Sequence, residues 1–225
     1  MRVAAVIPAY NEAGRIGEVI RSVSGLVDDV IVVDDGSEDS TAEEAAGSGA
    51  VVLRHAINRG QGAAIRTGNA AALLRSADVV VHFDADGQHD PGVIDRLVEP
   101  VRNGEVDVVY GSRFLGERPE GMPSRRRWLL RAARLFSVTV LGVPDGFTDP
   151  QSGLRAMSAE AVRILDFRQD RMAHCSEMLM MLGRTDLRWR EIPTKVYYTP
   201  ETLTKGQKAV DALRIVWNLM LGALE

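Results

Sequence analysis

The amino-acid sequence predicts a single α/β domain, built on a doubly wound, mostly parallel β-sheet flanked by helices. Three observations support this fold class. Short runs rich in valine and isoleucine recur along the chain, longer segments bearing alanine, arginine and glutamate separate them, and several early runs end in polar residues. Continuously apolar strands are typical of a parallel sheet buried on both faces, and their alternation with helices indicates the doubly wound arrangement.

The predicted strands are the apolar runs themselves. Each is short and bounded by turn-forming or charged residues, as buried strands usually are. Their ranges are 3–7, 30–33, 51–53, 79–83, 106–110 and 187–192.

Helices are predicted between and after these strands. Asp90 is expected to be the N-cap of one of them, with Pro91 at its first position, because both residue types favour those places. The chain contains no linker-like segment and no repeat, so we predict one domain over residues 1–225, with halves at 1–110 and 111–225. The predicted helices are 14–24, 40–46, 62–75, 91–102, 124–141, 159–165, 175–183 and 206–224, and the second half adds loops and helices to the sheet.

Composition excludes several classes of protein. The net charge of −4 gives no global basic field, so no nucleic-acid partner is expected. The single cysteine, Cys175, excludes a disulfide within the chain and a thiolate zinc cluster, and it favours a reducing cytoplasm. The first apolar run breaks at Pro8, too early for a signal peptide, and no long uncharged stretch predicts a spanning helix.

The stretch FDADGQHDP places Asp84 and Asp86 one residue apart at the end of a predicted core strand. Side chains at positions i and i+2 of a strand point the same way, so the two carboxylates would repel each other unless they share a cation. Oxygen ligands of this kind suit Mg²⁺ or Mn²⁺, which bridge phosphates. The alternative is a capped turn in which both aspartates bind local amides.

Two other strand ends are also polar, namely PAYNEAG at residues 8–14 and DDGSEDST at residues 34–41. In open α/β sheets, ligands bind outside the carboxyl ends of the strands. We therefore expect these two segments and the Asp84–Asp86 pair to converge on one crevice. A dinucleotide-binding site of the GxGxxG type is excluded, because the first strand opens into PAYNEAG.

Six motifs together resemble a known family. VIPAYNEAGRIGEVI, VVDDGSEDST, NRGQGAAIRTG, FDADGQHDP, VVYGSRF and DPQSGLRAMS follow one another in order and spacing. The sequence is similar to the family 2 glycosyltransferases of the GT-A fold. It most resembles the dolichyl-phosphate mannose synthase group, which moves a sugar from a nucleotide donor to a polyprenyl phosphate. The resemblance is strong over residues 1–155 and looser beyond.

The resemblance implies a donor site in residues 1–110. Pro8, Tyr10 and Glu12 would form the first nucleotide-contacting turn. Asp35 would accept a hydrogen bond from the base of the nucleotide, and the turn that contains Gly60 would lie beneath the nucleotide. The donors implied are GDP-mannose and UDP-glucose.

The metal and sugar sites are implied in the same way. Asp84, Asp86 and Gln88 match the metal-binding residues of the family, and the metal would be Mg²⁺ or Mn²⁺. Residues 148–158 would form a loop and strand beneath the donor sugar, where Asp149 and Gln151 would meet its hydroxyls. Turn formation around Pro150 and Gly153 is the structural alternative for that loop.

The acceptor site is implied to lie in residues 111–225. Arg113 matches an arginine that holds the acceptor phosphate, and a guanidinium can bind phosphate oxygens with two parallel hydrogen bonds. Arg127 and Arg131 fall on one face of a predicted helix, and Lys205 lies in a loop expected to fold over the site. A solvated helix face is the alternative for these arginines. The residues assigned catalytic roles are Asp86, Arg113 and Asp149.

Three alternatives remain open at this stage. The acceptor could be a sugar or natural-product hydroxyl, in which case Glu177 is the candidate general base. The chain could instead be a non-catalytic module that binds a nucleotide sugar. The helix predicted at 206–224 has a broad apolar arc, which suits packing on the domain, a homodimer partner or a peripheral contact with the cytoplasmic face of a membrane.

Overall fold

The computed structural model describes residues 1–115, 144 and 146–197, and the strands in this part of the chain form one mixed sheet. Most of them are short, continuously buried runs dominated by valine, isoleucine and alanine, as a sheet covered on both faces requires. In chain order they are β1 (Val3–Ala9), β2 (Asp29–Asp34), β3 (Val51–Arg54), β4 (Val79–His82), β5 (Val108–Ser112), β6 (Arg155–Ser158) and β7 (Trp189–Pro193).

The strands lie side by side in the order β3-β2-β1-β4-β6-β5-β7. Every neighbouring pair is parallel except those that involve β6, which runs antiparallel to both β4 and β5. The predicted α/β class with a mostly parallel sheet is therefore confirmed. Because β6 is reversed, its first residue, Arg155, lies at the edge where the other strands end, level with His82 and Tyr110.

Helices cover both faces of the sheet. Ile16 and Ile20 of the first helix pack with Leu97 of the fourth on one face, whereas Ile65 and Leu179 belong to the core of the opposite face. The described helices are α1 (Ile16–Val23), α2 (Thr41–Gly47), α3 (Gln61–Leu74), α4 (Val93–Arg102), α5 (Ala159–Ile164) and α6 (His174–Leu182). Two separate apolar cores of this kind define the doubly wound arrangement.

The boundaries of the described elements differ from the predicted ones by at most two residues, and α4 and β5 show why. Asp90 does not cap α4, because its carboxylate accepts from the amide of Gly92 (3.0 Å) in a turn that precedes the helix. The helix consequently begins at Val93, two residues later than predicted. β5 also begins two residues late, because the amide of Val106 is held by the carbonyl of Pro100 (3.4 Å).

The helices predicted at 124–141 and 206–224 lie outside the described residues. Within the described ranges, no helix has the length and apolar character needed to cross a membrane.

Candidate active site

The loops that follow β1 and β2 are joined to each other at the carboxyl edge of the sheet. The amide of Asn11 donates to Ser37 Oγ (2.9 Å), and the amide of Glu38 donates back to Asn11 Oδ1 (3.0 Å). The amide of Glu12 donates to Thr41 Oγ1 (2.8 Å). Asn11 has a φ of 54°, a left-handed conformation that asparagine tolerates better than most residues. The two strand ends therefore form one polar rim.

Three residues predicted to contact the nucleotide lie on or beside this rim. Pro8 is half-buried, and Tyr10 has 42% of its surface exposed. Glu12 forms an ion pair with Arg15 (3.0 Å), so its carboxylate is already engaged within the first loop. An exposed ring such as that of Tyr10 has a face on which a base can stack.

Asp35, the predicted base-contacting residue, is buried and organises the neighbouring loop. It accepts hydrogen bonds from His55 Nδ1 (2.7 Å), the amide of Arg59 (3.0 Å) and the amide of Gly60 (2.6 Å). The second ring nitrogen of His55 contacts Thr67 Oγ1 (2.9 Å). A carboxylate accepts about four hydrogen bonds, so these three contacts leave room for one from a base.

The glycine-rich turn before α3 is packed against a later segment of the chain. A Cβ atom at Gly60 would lie 2.5 Å from the carbonyl oxygen of Asp170, and one at Gly62 would lie 2.2 Å from that of Gln169. The amide of Ala63 donates to the same Asp170 carbonyl (3.0 Å). Both glycines are therefore needed for close backbone packing, a role that was not predicted from the sequence.

Glu177, the candidate general base for a hydroxyl acceptor, anchors this later segment. Its carboxylate accepts from the amides of Arg168 (3.0 Å) and Gln169 (2.8 Å). Arg66 of α3 binds the same segment through the carbonyl of Arg168 and the carboxylate of Asp170. The described contacts of Glu177 are thus those of a loop anchor.

Asp84 and Asp86 lie where the chain leaves β4. Asp84 accepts from Gln61 Nε2 (3.1 Å) and contacts His89 Nε2 (3.1 Å), and Asp86 accepts from the amide of Gln88 (3.0 Å). Burial works to raise the pKa of Asp84, but the hydrogen bond from His89 and the positive charges nearby, including that of Arg155, together outweigh it, so this pKa is lowered. Burial, and then the charge of Asp84, raise the pKa of Asp86.

These opposite pKa shifts mark a pair of carboxylates whose charges disfavour each other. No group of three His, Cys, Asp or Glu side chains that could hold a metal occurs among the described residues. A divalent cation here would therefore take its further ligands from an oxygen such as that of the Gln88 side-chain amide, or from the oxygens of a diphosphate. The residues fit such a cation, because its charge would offset the repulsion that raises the pKa of Asp86.

Two further segments lie against this carboxylate pair. A Cβ atom at Gly153 would lie 3.1 Å from both carboxylate oxygens of Asp84, so the loop that carries Gln151 passes close to the pair. On another side, the amide of Tyr197 donates to the carbonyl of Gln88 (2.9 Å), next to a β-bridge between His89 and Val196. The strand end, the loop and the segment after β7 thus meet at one place.

Arg113 and Asp149 form a buried ion pair at the end of β5. Arg113 donates from Nε (2.6 Å) and Nη2 (2.7 Å) to the two carboxylate oxygens, and its amide donates to the same carboxylate (3.0 Å). The Asp149 side chain is 1% exposed and that of Arg113 13%. Both residues were predicted from the sequence to belong to the site, but their ion pair was not predicted.

A second arginine lies buried at the same edge. Arg155 donates from Nε to His82 Nδ1 (2.8 Å), and His82 Nε2 contacts Asn69 Oδ1 (2.7 Å), so the proton of the neutral imidazole lies on Nε2. Burial, and then the charge of Arg155, lower the pKa of His82 well below its ordinary value. Burial also raises the pKa of Tyr110, beside Arg155, to about 12.

Two histidines of the site were missed by sequence reasoning, which assigned them no role. His55 binds Asp35, and His89 binds Asp84. The position of His55 directly after β3 was a usable signal, because it puts the residue at the same sheet edge. Arg127, Arg131 and Lys205, the other predicted acceptor residues, lie outside the described residues.

Comparisons with known proteins show the family and the fold of the chain. The family model described as "Glycosyl transferase family 2" matches residues 4–164. The chain is 32% identical over 237 residues to the UDP-N-acetylglucosamine–dolichyl-phosphate N-acetylglucosaminyltransferase of Methanococcus voltae, covering 96% of this chain and 94% of that one. It is 36% identical over 174 residues to the undecaprenyl-phosphate mannosyltransferase of Micrococcus luteus, covering 74% and 70% of the two chains.

A solved structure with the same architecture is glucosyl-3-phosphoglycerate synthase from Mycobacterium tuberculosis in complex with Mn²⁺ and UDP-glucose. It superposes with a TM-score of 0.68 at 27% identity, covering 91% of this chain and 74% of the other. The predicted GT-A fold is thereby confirmed.

Proposed function

The chain belongs to glycosyl transferase family 2, and from that premise we propose that this glycosyltransferase moves a sugar from a nucleotide-sugar donor to a polyprenyl phosphate. The observation that carries the proposal is the meeting of two kinds of group at one sheet edge. The Asp84–Asp86 pair suits a metal-bound diphosphate, and Arg113, oriented by Asp149, suits a second phosphate. The relatives named for dolichyl- and undecaprenyl-phosphate transfer support the same acceptor class.

The donor would lie across the first half of the chain, residues 1–110. Tyr10 offers a ring to the base, and Asp35 offers an acceptor position to a base N–H, held in place by His55. Asp84, Asp86 and Gln88 would hold Mg²⁺ or Mn²⁺, which would stabilise negative charge on the departing nucleoside diphosphate. The neighbour crystallised with Mn²⁺ and UDP-glucose supports a divalent metal and a nucleotide sugar.

In the proposed reaction, an oxygen of the acceptor phosphate attacks the anomeric carbon from the side opposite the diphosphate. The bond between this carbon and the diphosphate oxygen breaks, its electron pair leaves with the nucleoside diphosphate, and the anomeric centre is inverted. A phosphate is already ionised, so this step needs no general base. The guanidinium of Arg113 would orient the attacking phosphate, and Asp149 fixes the plane of that guanidinium.

The contacts of Glu177 also favour a phosphate acceptor over a hydroxyl. A general base must reach the proton that it removes. Both oxygens of Glu177 instead accept from the backbone amides of Arg168 and Gln169. A polyprenyl acceptor would bring residues 111–225 to a membrane surface, so the proposal includes peripheral contact with the cytoplasmic face. The proposed donors are GDP-mannose and UDP-glucose.

The test is release of nucleoside diphosphate by the purified protein with Mg²⁺ or Mn²⁺. UDP-glucose, UDP-N-acetylglucosamine and GDP-mannose are each assayed with a short polyprenyl phosphate, with the matched polyprenol and with 3-phosphoglycerate. We expect release to require the polyprenyl phosphate, one donor and the metal, and to stop in EDTA. Equal release with the polyprenol, or release with 3-phosphoglycerate alone, would overturn the proposed acceptor.

A further inference from the structure

We infer that Glu191 is a positioning residue for the acceptor phosphate, because it holds the loop whose Asp149 orients Arg113. The inference rests on the proposed function and deepens it. Glu191 belongs to β7, which pairs with β5, the strand that leads to Arg113. A residue of the sheet thereby helps to fix the orientation of the Arg113 guanidinium at the end of the neighbouring strand.

The contacts form a continuous series from the sheet to Arg113. The two carboxylate oxygens of Glu191 accept from consecutive backbone amides, those of Thr148 (2.8 Å) and Asp149 (3.0 Å). Asp149 then accepts from the Nε, Nη2 and backbone amide of Arg113, at 2.6–3.0 Å. Ser112 closes the arrangement through a hydrogen bond with Thr148 Oγ1 (2.6 Å).

The position of Glu191 requires a group that accepts two hydrogen bonds side by side. The amides of Thr148 and Asp149 both donate, and only a carboxylate offers an acceptor to each. A glutamine would present one carbonyl oxygen and one NH₂, and the NH₂ would face an amide that also donates. Glu191→Gln therefore preserves size and removes one of the two bonds, which is the smallest change that tests the arrangement.

The charged form of the Glu191 carboxylate is disfavoured at its position in the sheet. Burial raises its pKa, against the two amide hydrogen bonds that lower it, and the charge of Asp149 adds to the increase. A carboxylate on the protein surface would not be disfavoured in this way. The unfavourable position is consistent with a role in holding the loop, because the buried ion pair of Arg113 and Asp149 depends on the course of that loop.

The first test compares Glu191→Gln with a matched control, Glu105→Gln. Glu105 pairs with Arg190, the residue next to Glu191 on β7, but this pair is exposed on both sides. We expect Glu191→Gln to raise KM for the polyprenyl phosphate by about tenfold, the effect of leaving one partly buried hydrogen bond unmade. The dissociation constant for the donor's nucleoside diphosphate should stay unchanged, and Glu105→Gln should behave as wild type. An equal loss of donor and acceptor affinity, or no change in either, would overturn the inference.

The second test does not depend on the acceptor and so separates the two proposals. In ¹⁵N NMR spectra, the Nε–H of Arg113 should give a downfield, slowly exchanging signal because it is bonded to a buried carboxylate; Arg113→Lys identifies the signal by removing it. We expect Glu191→Gln to shift this signal and speed its exchange with water, whereas Glu105→Gln leaves it in place. If the signal is unaffected by Glu191→Gln, Glu191 does not position Arg113, whatever the acceptor proves to be.

Discussion

Asp86 is a residue at which stability and the proposed activity conflict. Its charge is disfavoured by burial and by Asp84, as the raised pKa records. We expect Asp86→Asn to increase the free energy of unfolding by up to about 1 kcal/mol in metal-free protein, because it removes this charge. The variant keeps an oxygen for the amide of Gln88, so the loop should stay folded. Urea unfolding in EDTA measures the change.

The same variant should lose sugar transfer by about 100-fold or more, because the metal loses a charged ligand. Asp166→Asn is the control, since Asp166 is an exposed aspartate, and it should change neither stability nor turnover. A destabilised Asp86→Asn variant would contradict the unfavourable effect assigned to the charge of Asp86. Wild-type turnover of that variant at saturating Mn²⁺ would contradict the proposed role of Asp86 as a metal ligand.

Individual residues also show which parts of the site a sequence can predict. Asp84 and Asp86 are separated by a single residue at the end of an apolar run, so their shared position was predictable. Arg113 and Asp149 are 36 positions apart, and their ion pair depends on how two loops approach each other. The contact of Asp35 with His55, 20 positions away, depends on tertiary structure in the same way. Residue types were predictable here, whereas partners were not.

At the scale of elements, β6 explains how the site is assembled. The other strands followed from the apolar runs, whereas a strand within residues 148–158 was implied only by the family resemblance. The direction of such a four-residue strand leaves no periodic pattern in the sequence. Its reversal puts Arg155 level with His82 and brings the preceding loop, with Gly153, against Asp84. The sequence therefore indicated that residues 148–158 belong to the site without showing how the chain delivers them there.

The start of α3 gives a prediction for an element. Gly62→Ala should lower the free energy of unfolding by about 2 kcal/mol or more, because its Cβ would collide with backbone atoms that cannot turn aside. The colliding atoms are the carbonyl oxygen of Gln169 at 2.2 Å and the carbonyl carbon of Asp170 at 3.0 Å. Thermal and urea unfolding measure the effect, and weakened binding of the nucleoside diphosphate should accompany it.

Gly47→Ala supplies the matched control. Gly47 ends α2, and a Cβ atom there meets nothing within 4 Å. Alanine favours a helix over glycine by up to about 1 kcal/mol, so this variant should be as stable as wild type or slightly more so. If Gly62→Ala proves as harmless as Gly47→Ala, the segment at residues 169–170 does not pack on α3 as described.

At the scale of the whole molecule, the two edges of the sheet differ in how their charges are satisfied. The carboxyl edge holds the repelling pair of Asp84 and Asp86, which suits the binding of a cation and phosphates. At the opposite edge, where the parallel strands begin, a carboxylate lies between two arginines. Asp29, at the start of β2, binds Arg2 Nε (2.7 Å) and Arg75 Nη2 (2.8 Å). This arrangement ties the N-terminus, β2 and the end of α3 together.

Asp29 therefore makes stability depend on acid in a defined direction. The hydrogen bond from Arg2 is the largest cause that lowers its pKa to about 2; burial opposes it, and Arg75 adds to it. A carboxyl whose folded pKa lies below its unfolded value stabilises the protein above the unfolded pKa. That contribution is lost as the pH falls through the folded pKa, so the relevant window is about pH 4 to 2.

We expect Asp29→Asn to lower the free energy of unfolding at pH 7 by about 1 kcal/mol, because both arginines are 40% or more exposed and solvent screens the pair. Urea unfolding at pH 7, 5 and 3 should show the difference between wild type and variant constant from pH 7 to 5 and reduced at pH 3. Asp186→Asn, at an exposed position, should show no difference at any pH. If the difference in the free energy of unfolding between wild type and Asp29→Asn stays constant down to pH 3, Asp29 acts through the shape of its side chain. If that difference becomes smaller at pH 3, the charge of Asp29 stabilises this edge of the sheet.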